Sequence, residues 1–225
     1  MQTLAQEPRE SSTGLSQMLR EGTAIAHQHA ENAPFVKAFF RGEVTWQAFA
    51  QLSARLYHVY LAIEDGLDTH SQHPVIAPLC FSELRRVDPL RADLQQLLEG
   101  GWNEKLGLSP EASRYAERVR EVSNTDPTLL VAHAYTRYLG DLSGGQAIAT
   151  AAKRYFGLEP DRGLSFFHFP EIRNLKEFKQ EYRRRLDGLP VSDESKALIV
   201  AEANRSFALN RALTDEVWNE NAAGS

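Results

Sequence analysis

The chain is short of cysteine, of net positive charge and of long apolar runs. Cys80 is its one cysteine, which excludes an internal disulfide and any metal site built from several thiolates. That usage suits a reducing compartment. Lys and Arg number 25 against 30 Asp and Glu, for a formal net charge of −5, the wrong sign for a nucleic-acid-binding protein. No run reaches the ~18 apolar residues of a membrane span. The first residues, MQTLAQEPRESSTG, hold no apolar signal core. The expectation is a cytoplasmic protein with no membrane and no nucleic-acid partner. Alternating strand patterns and solenoid-length repeats are missing too.

What is present is helical periodicity, and 42% hydrophobic residues supply a sizeable core. The expected fold is all-α, a single-domain bundle of about seven helices. The domain should cover residues 13–220, with residues 1–12 a mobile tail and 221–225 disordered. A first helix is predicted over 15–31, with Leu15, Met18, Leu19 and Ala26 on one stripe. A second is predicted over 45–71, with Thr45 as its cap. A third, over 88–99, stops at Gly100-Gly101. Ser109-Pro110 opens the next. Asp126-Pro127 opens the longest, reaching Phe156 before Gly157, roughly 45 Å of helix. A loop with Phe166, Phe167 and Phe169 follows, then helices over 174–187 and 192–220.

Inside the longest predicted helix lies Tyr135-Thr136-Arg137-Tyr138-Leu139-Gly140-Asp141-Leu142-Ser143-Gly144-Gly145-Gln146. Three interior glycines cost roughly 3 kcal/mol relative to alanine, which something must offset. Gly140 and Gly144 share a helix face. Bare of Cβ atoms, that face admits either a flat ligand or a tightly packed neighbouring helix. Asp141 lies beside it, with Arg137 one turn earlier as its possible partner. The glycines are not placed between a strand and a helix, so phosphate binding has no support.

The stretch LLVAHAYTRYLGDLSGGQ, Leu129 to Gln146, resembles the haem oxygenase signature nearly residue for residue. LREGTAIAHQHAEN (Leu19–Asn32), LYHVY (Leu56–Tyr60), FKQEYR (Phe178–Arg183) and FALN (Phe207–Asn210) match in the same order. The resemblance implies haem b as both cofactor and substrate, its iron the reactive centre. The haem would be sandwiched between the first helix and the glycine-kinked one, and opened with oxygen and electrons to biliverdin, carbon monoxide and ferrous iron. The α meso carbon is the family's usual target. The rival is a carrier or sensor that binds haem without turnover.

The resemblance selects His27 as iron ligand. Glu31, one turn along on the same face, can accept from its Nδ1 and fix the tautomer. Periodicity alone favours His29, nearer the centre of the Leu15/Leu19/Ala26 stripe; the alternative is that His29 packs in the core while His27 sits at its edge, facing a cleft. His133 reads as structural, being two turns from Gly140. Asp141 would act through ordered water, and Arg137, Tyr60, Tyr115 and Asn210 resemble the polar network around it. Gly140 and Gly144 form the floor, with Thr136 and Ser143 beside them. Lys179 and Arg183, spaced i, i+4, present two cations on one face. They match family positions that anchor the haem propionates, as do Arg20 and Tyr135. Phe207 and Phe167 would pack near the ring edge.

Animal members of the family end in a membrane-anchoring helix that does not follow here, so the likeness is to soluble bacterial and plastid forms. It implies a monomer in the cytoplasm, or in the plastid stroma of a eukaryote. The electron donor would be ferredoxin or a ferredoxin-like reductase system. Arg118, Arg120, Lys153, Arg154 and the 183–185 run are candidates to face that acidic donor.

Overall fold

The structure, a computed structural model, describes residues 13–98, 108–160 and 162–222. Among the described residues it contains ten α-helices and no strand. The predicted tail at 1–12, the Gly100-Gly101 stop and the last residues, 223–225, lie outside the described residues.

Several helices start and stop where side chains dictate. Helix α4, Trp46–Thr69, opens at Thr45, whose hydroxyl accepts from Ala48 N at 3.2 Å. Helix α6, Pro110–Thr125, is capped by Ser109 with Pro110 in the first turn. Helix α5 is Val87–Leu97, and α9, Leu175–Asp187, is capped by Asn174.

The rod predicted over 15–31 is two helices. Helix α1, Leu15–Gly22, and helix α2, Ala24–Glu31, are separated at Thr23. The Thr23 hydroxyl bonds back to Leu19 O at 2.7 Å, a local bond that competes with helix continuation. Between α2 and α4 lies a helix the periodicity did not reveal, α3, Pro34–Arg41. Proline opens it, and Gly42 ends it at φ 75°, left-handed backbone that glycine adopts without strain.

The glycine-rich rod is also divided. A 3₁₀ turn, Pro127–Leu129, leads into α7, Leu130–Ser143. Gly144 separates it from α8, Gly145–Phe156. The longest helix is instead α10, Asp193–Ala222, with 30 residues. These divisions, with α3, account for ten helices where seven were expected.

Buried apolar side chains from nearly every helix form one contiguous cluster. Helix α4 threads it, packed along α6, while α10 lies along α7. Helix α2 stands apart, because none of its residues is buried. An eight-residue helix has too few turns to stand alone in water. It rests on α10 and keeps its other faces open.

Candidate heme site

Helix α7 carries two contrasting faces. The sequence Leu130-Val131-Ala132-His133-Ala134 is wholly buried, whereas Gly140, Ser143 and Gly144 are exposed. A Cβ built on Gly140 would meet nothing within 4 Å, and one on Gly144 only Gly140 O, at 3.6 Å. Tight packing therefore does not explain these two glycines. It does explain Gly145, where a Cβ would lie 3.2 Å from the Phe167 ring.

Beside the bare surface, Asp141 is buried. The Tyr60 hydroxyl, from α4, donates to its Oδ2. Arg137 reaches its Oδ1 at 3.4 Å, donates to Tyr60 Oη at 3.1 Å and to Asn210 Oδ1, on α10, at 2.6 Å. Burial pushes the Asp141 carboxyl above its ordinary range, against the opposing pull of Arg137 and Tyr60. The same burial pushes the Tyr60 phenol well up. The carboxyl is thus readier to hold a proton than a solvated aspartate.

Three predicted network members, Tyr60, Arg137 and Asn210, meet Asp141 directly or through one bond. Tyr115 stands further off. Its hydroxyl pairs with Ser206 Oγ at 2.5 Å, and Ser206 pairs with Thr136 Oγ1 at 2.5 Å. Thr136, expected at the haem surface, is buried, and its hydroxyl also bonds to Ala132 O at 3.0 Å. Ser206 was missed because a serine inside a long helix carries no local signature.

A cavity of about 130 Å³ opens onto this network. Arg137, Asp141 and Asn210 supply its polar wall, and Phe35, Phe39, Phe49, Phe166 and Phe167 much of its apolar wall. The α3 aromatics were not anticipated. Phe166 and Phe167 sit on a turn held by two buried ions. Asp93 accepts from Ser165 N and Phe166 N at 2.9 and 2.8 Å. Arg86 donates to Phe166 O and His168 O at 3.0 and 2.8 Å. The turn thereby sets Phe166 edge-on to Tyr60, their ring centroids 5.4 Å apart.

On α2, His27 is more than half exposed, its Nδ1 3.6 Å from Glu31 Oε2. Phe207, on α10, stands edge-on to the imidazole with centroids 5.7 Å apart. His29 is exposed as well, so the core position that periodicity gave it does not exist. His133 is fully buried, with Nε2 3.0 Å from Glu202 Oε1. Burial pushes its imidazole down.

One edge of the open surface is cationic. Lys179 Nζ, on α9, donates to Ser143 Oγ at 3.4 Å. Tyr135 on α7 lies in the fields of Arg183 and Arg20. Asp187, at the end of α9, ties α1 to this edge by accepting from Ser16 N at 2.8 Å and Ser16 Oγ at 2.9 Å. Of the cations expected to face an acidic donor, Arg118 pairs with Glu202, Lys153 with Glu159, and Arg184 and Arg185 with Glu181.

An exposed imidazole on one helix, a side-chain-free surface on another and a buried carboxyl network between them define a class. It is that of all-helical proteins with an open surface on which a flat ligand can lie. The family model described as "Heme oxygenase" matches residues 13–216. The chain belongs to the heme oxygenase family.

Heme oxygenase 1 of the cyanobacterium Nostoc is 42% identical over 206 residues, covering 92% of this chain and 87% of that protein. Heme oxygenase of Rhodella violacea is 44% identical, covering 91% and 87%. Among solved structures, heme oxygenase-1 of the cyanobacterium Synechocystis, in complex with heme, superposes with a TM-score of 0.89 at 39% identity. It covers 94% of this chain and 96% of that one. The Leptospira interrogans enzyme gives 0.87 at 38% identity, covering 91% and 100%.

Proposed function

We propose that this protein binds haem b between α2 and the α7–α8 surface and opens its ring at a meso carbon, by default α, to biliverdin, carbon monoxide and ferrous iron. The observation that carries this reading is the bare Gly140–Gly144 surface, beside the buried Asp141 network and unoccupied by any protein atom that would explain it.

The residues present fit the group. His27 offers a half-exposed imidazole with Glu31 beside its Nδ1, so Nε2 is left to take the iron. A carboxylate near Nδ1 fixes tautomer and ring direction. Gly140 and Gly144 let the macrocycle approach the backbone closely. Lys179, Arg183, Arg20 and Tyr135 would hold its propionates. Phe207 covers the imidazole side, and Phe167 closes the cavity beyond the glycines.

Bound haem supplies the iron at which oxygen is activated, and its own carbon skeleton is what becomes oxidised. The chain's task is to deliver protons and exclude bulk solvent. Asp141, its pKa raised by burial, holds and passes a proton through ordered water in the cavity. Tyr60 and Arg137 fix the carboxyl orientation, and Asn210 fixes Arg137. Tyr115 and Thr136 support that arrangement through Ser206. A neutral imidazole gives a weaker electronic push toward O–O cleavage than a thiolate, and no second imidazole in this network can serve as a peroxidase-type acid.

Oxygen and an electron donor are co-reactants. The donor is ferredoxin or a ferredoxin-like reductase system, the enzyme a monomer, and its compartment the cytoplasm or a plastid stroma. The test is turnover. With haem, oxygen and reduced ferredoxin, the Soret band should fall while bilin absorption rises. A Soret band that persists under reducing conditions would make the protein a haem carrier or sensor. His27→Ala should lose the neutral-imidazole spectrum, and its retention would reassign the ligand.

A further inference from the structure

Helix α2 presents a problem of support. With no fully buried residue and only Ala26 and Ala30 half-buried, it gains little from hydrophobic burial, yet it carries the imidazole. Two hydrogen bonds from α10 span it instead. Just ahead of it, at the last residue of α1, Asn204 Nδ2 donates to Gly22 O at 3.0 Å. At its end, Arg211 Nη1 donates to His29 O at 2.9 Å. Carbonyls at a helix C-terminus lack intrahelical donors and carry partial negative charge, so a guanidinium there satisfies both needs. Arg211 is itself aimed by Asp215, whose two oxygens accept from its Nε at 2.8 and 2.7 Å.

The spacing is what couples this clamp to the site. Residues 204, 207 and 211 recur at helical period and share one face of α10. The middle member, Phe207, is the residue set edge-on to His27. The same α10 face therefore holds the junction that precedes the ligand helix and the helix's own last turn, and stands against the imidazole between them.

We propose that Arg211, braced by Asp215, and Asn204 are positioning residues that fix where α2 lies and thereby where the His27 imidazole meets the haem. The inference rests on the assignment of His27 as ligand, but its first test does not. In the haem-free protein, Arg211→Met should speed amide hydrogen exchange in α2 about tenfold or more, the loss of one charge-assisted hydrogen bond, and leave α6 unchanged. Asp215→Asn should give a smaller rise, and Arg211→Lys should restore protection. In the haem-loaded protein, Arg211→Met should shift the iron–histidine stretching band and speed haem transfer to an excess of an apo-globin about fivefold. An increase of exchange spread evenly over all helices, or none in α2, overturns the clamp. A change in α2 exchange with an unmoved iron–histidine band and unmoved haem loss overturns its coupling to the ligand. Failure of the His27 assignment shows separately, as an unaltered spectrum in His27→Ala.

Discussion

Glycine to alanine at position 140 separates what folding needs from what the ligand needs. Gly140 lies within α7, and a Cβ there meets nothing within 4 Å. Alanine at an unobstructed interior helix position gains about 0.5–1 kcal/mol over glycine. For a chain of this size that raises the melting temperature by about 1–4 °C. Gly145→Ala runs the other way. Its Cβ would stand 3.2 Å from the Phe167 ring, and Phe167 cannot easily retreat. Its carbonyl is held by Gln146 at 3.0 Å, and the turn it sits on is tied to Asp93. Overpacking of this kind costs about 1–3 kcal/mol, enough to outweigh the helix gain and lower the melting temperature. With haem present the order reverses for position 140. Gly140→Leu should fold at least as well as the native protein, yet bind haem at least about tenfold more weakly, because an obstruction of about 1.4 kcal/mol is a factor of ten. Thermal melts of the haem-free protein and a Soret titration give both numbers. A Gly140→Leu protein with native haem affinity would show that the macrocycle does not lie on this surface. A haem-free Gly140→Ala protein of lowered stability would show that the glycine is needed for packing after all.

Asp141→Ala should keep haem affinity within about threefold, since the carboxyl is not an anchor, and lose biliverdin formation by about 10²–10⁴. A normal yield by bilin absorbance refutes its proton-carrying role. The double change Lys179→Glu, Arg183→Glu should weaken haem binding roughly tenfold, with the loss shrinking at high salt as exposed charges are screened; equal affinities would remove these residues as propionate anchors. Glu202 carries a pH signature. Burial pushes it up, but hydrogen bonds from His133 and Arg118 outweigh that and hold it down to about 2, against an ordinary value of 4.5. A depressed carboxyl contributes stability that is present above pH 4.5 and lost as pH falls toward 2. Glu202→Gln should therefore flatten acid unfolding in that window, by at most about 3 kcal/mol. Identical acid slopes for the two proteins would refute the pairing.

Chain punctuation was legible where one residue supplies the physics. Thr45 and Ser109 stand at helix starts, and Gly157 ends α8 in left-handed backbone at φ 67°. The bare surface was legible too, because two glycines four residues apart cost too much to be there without purpose. Periodicity failed where a helix is interrupted. The stripe of Leu15 and Leu19 was carried through Thr23, but the break there resets the helical phase, and the core position inferred for His29 vanished with it. Helix α3 carried its own signals, Pro34 at the start and Gly42 at the end, yet is too short for its period to stand out. Contacts made across the sequence left no trace at all. Nothing local to Asp93, Arg86 or Arg211 announces which distant carbonyl or amide each will hold.

A wall segment that buries nothing of its own has a consequence for the reaction cycle. Under the proposed binding mode the planar substrate would supply the contacts that α2 lacks, so the loaded protein would be the stiffer one, its stability rising with haem concentration by mass action. Ring opening would remove that brace, since a product that is no longer flat and no longer holds iron could not bridge the two sides. Each turnover would thus loosen the segment that carries the imidazole at the moment the product has to leave.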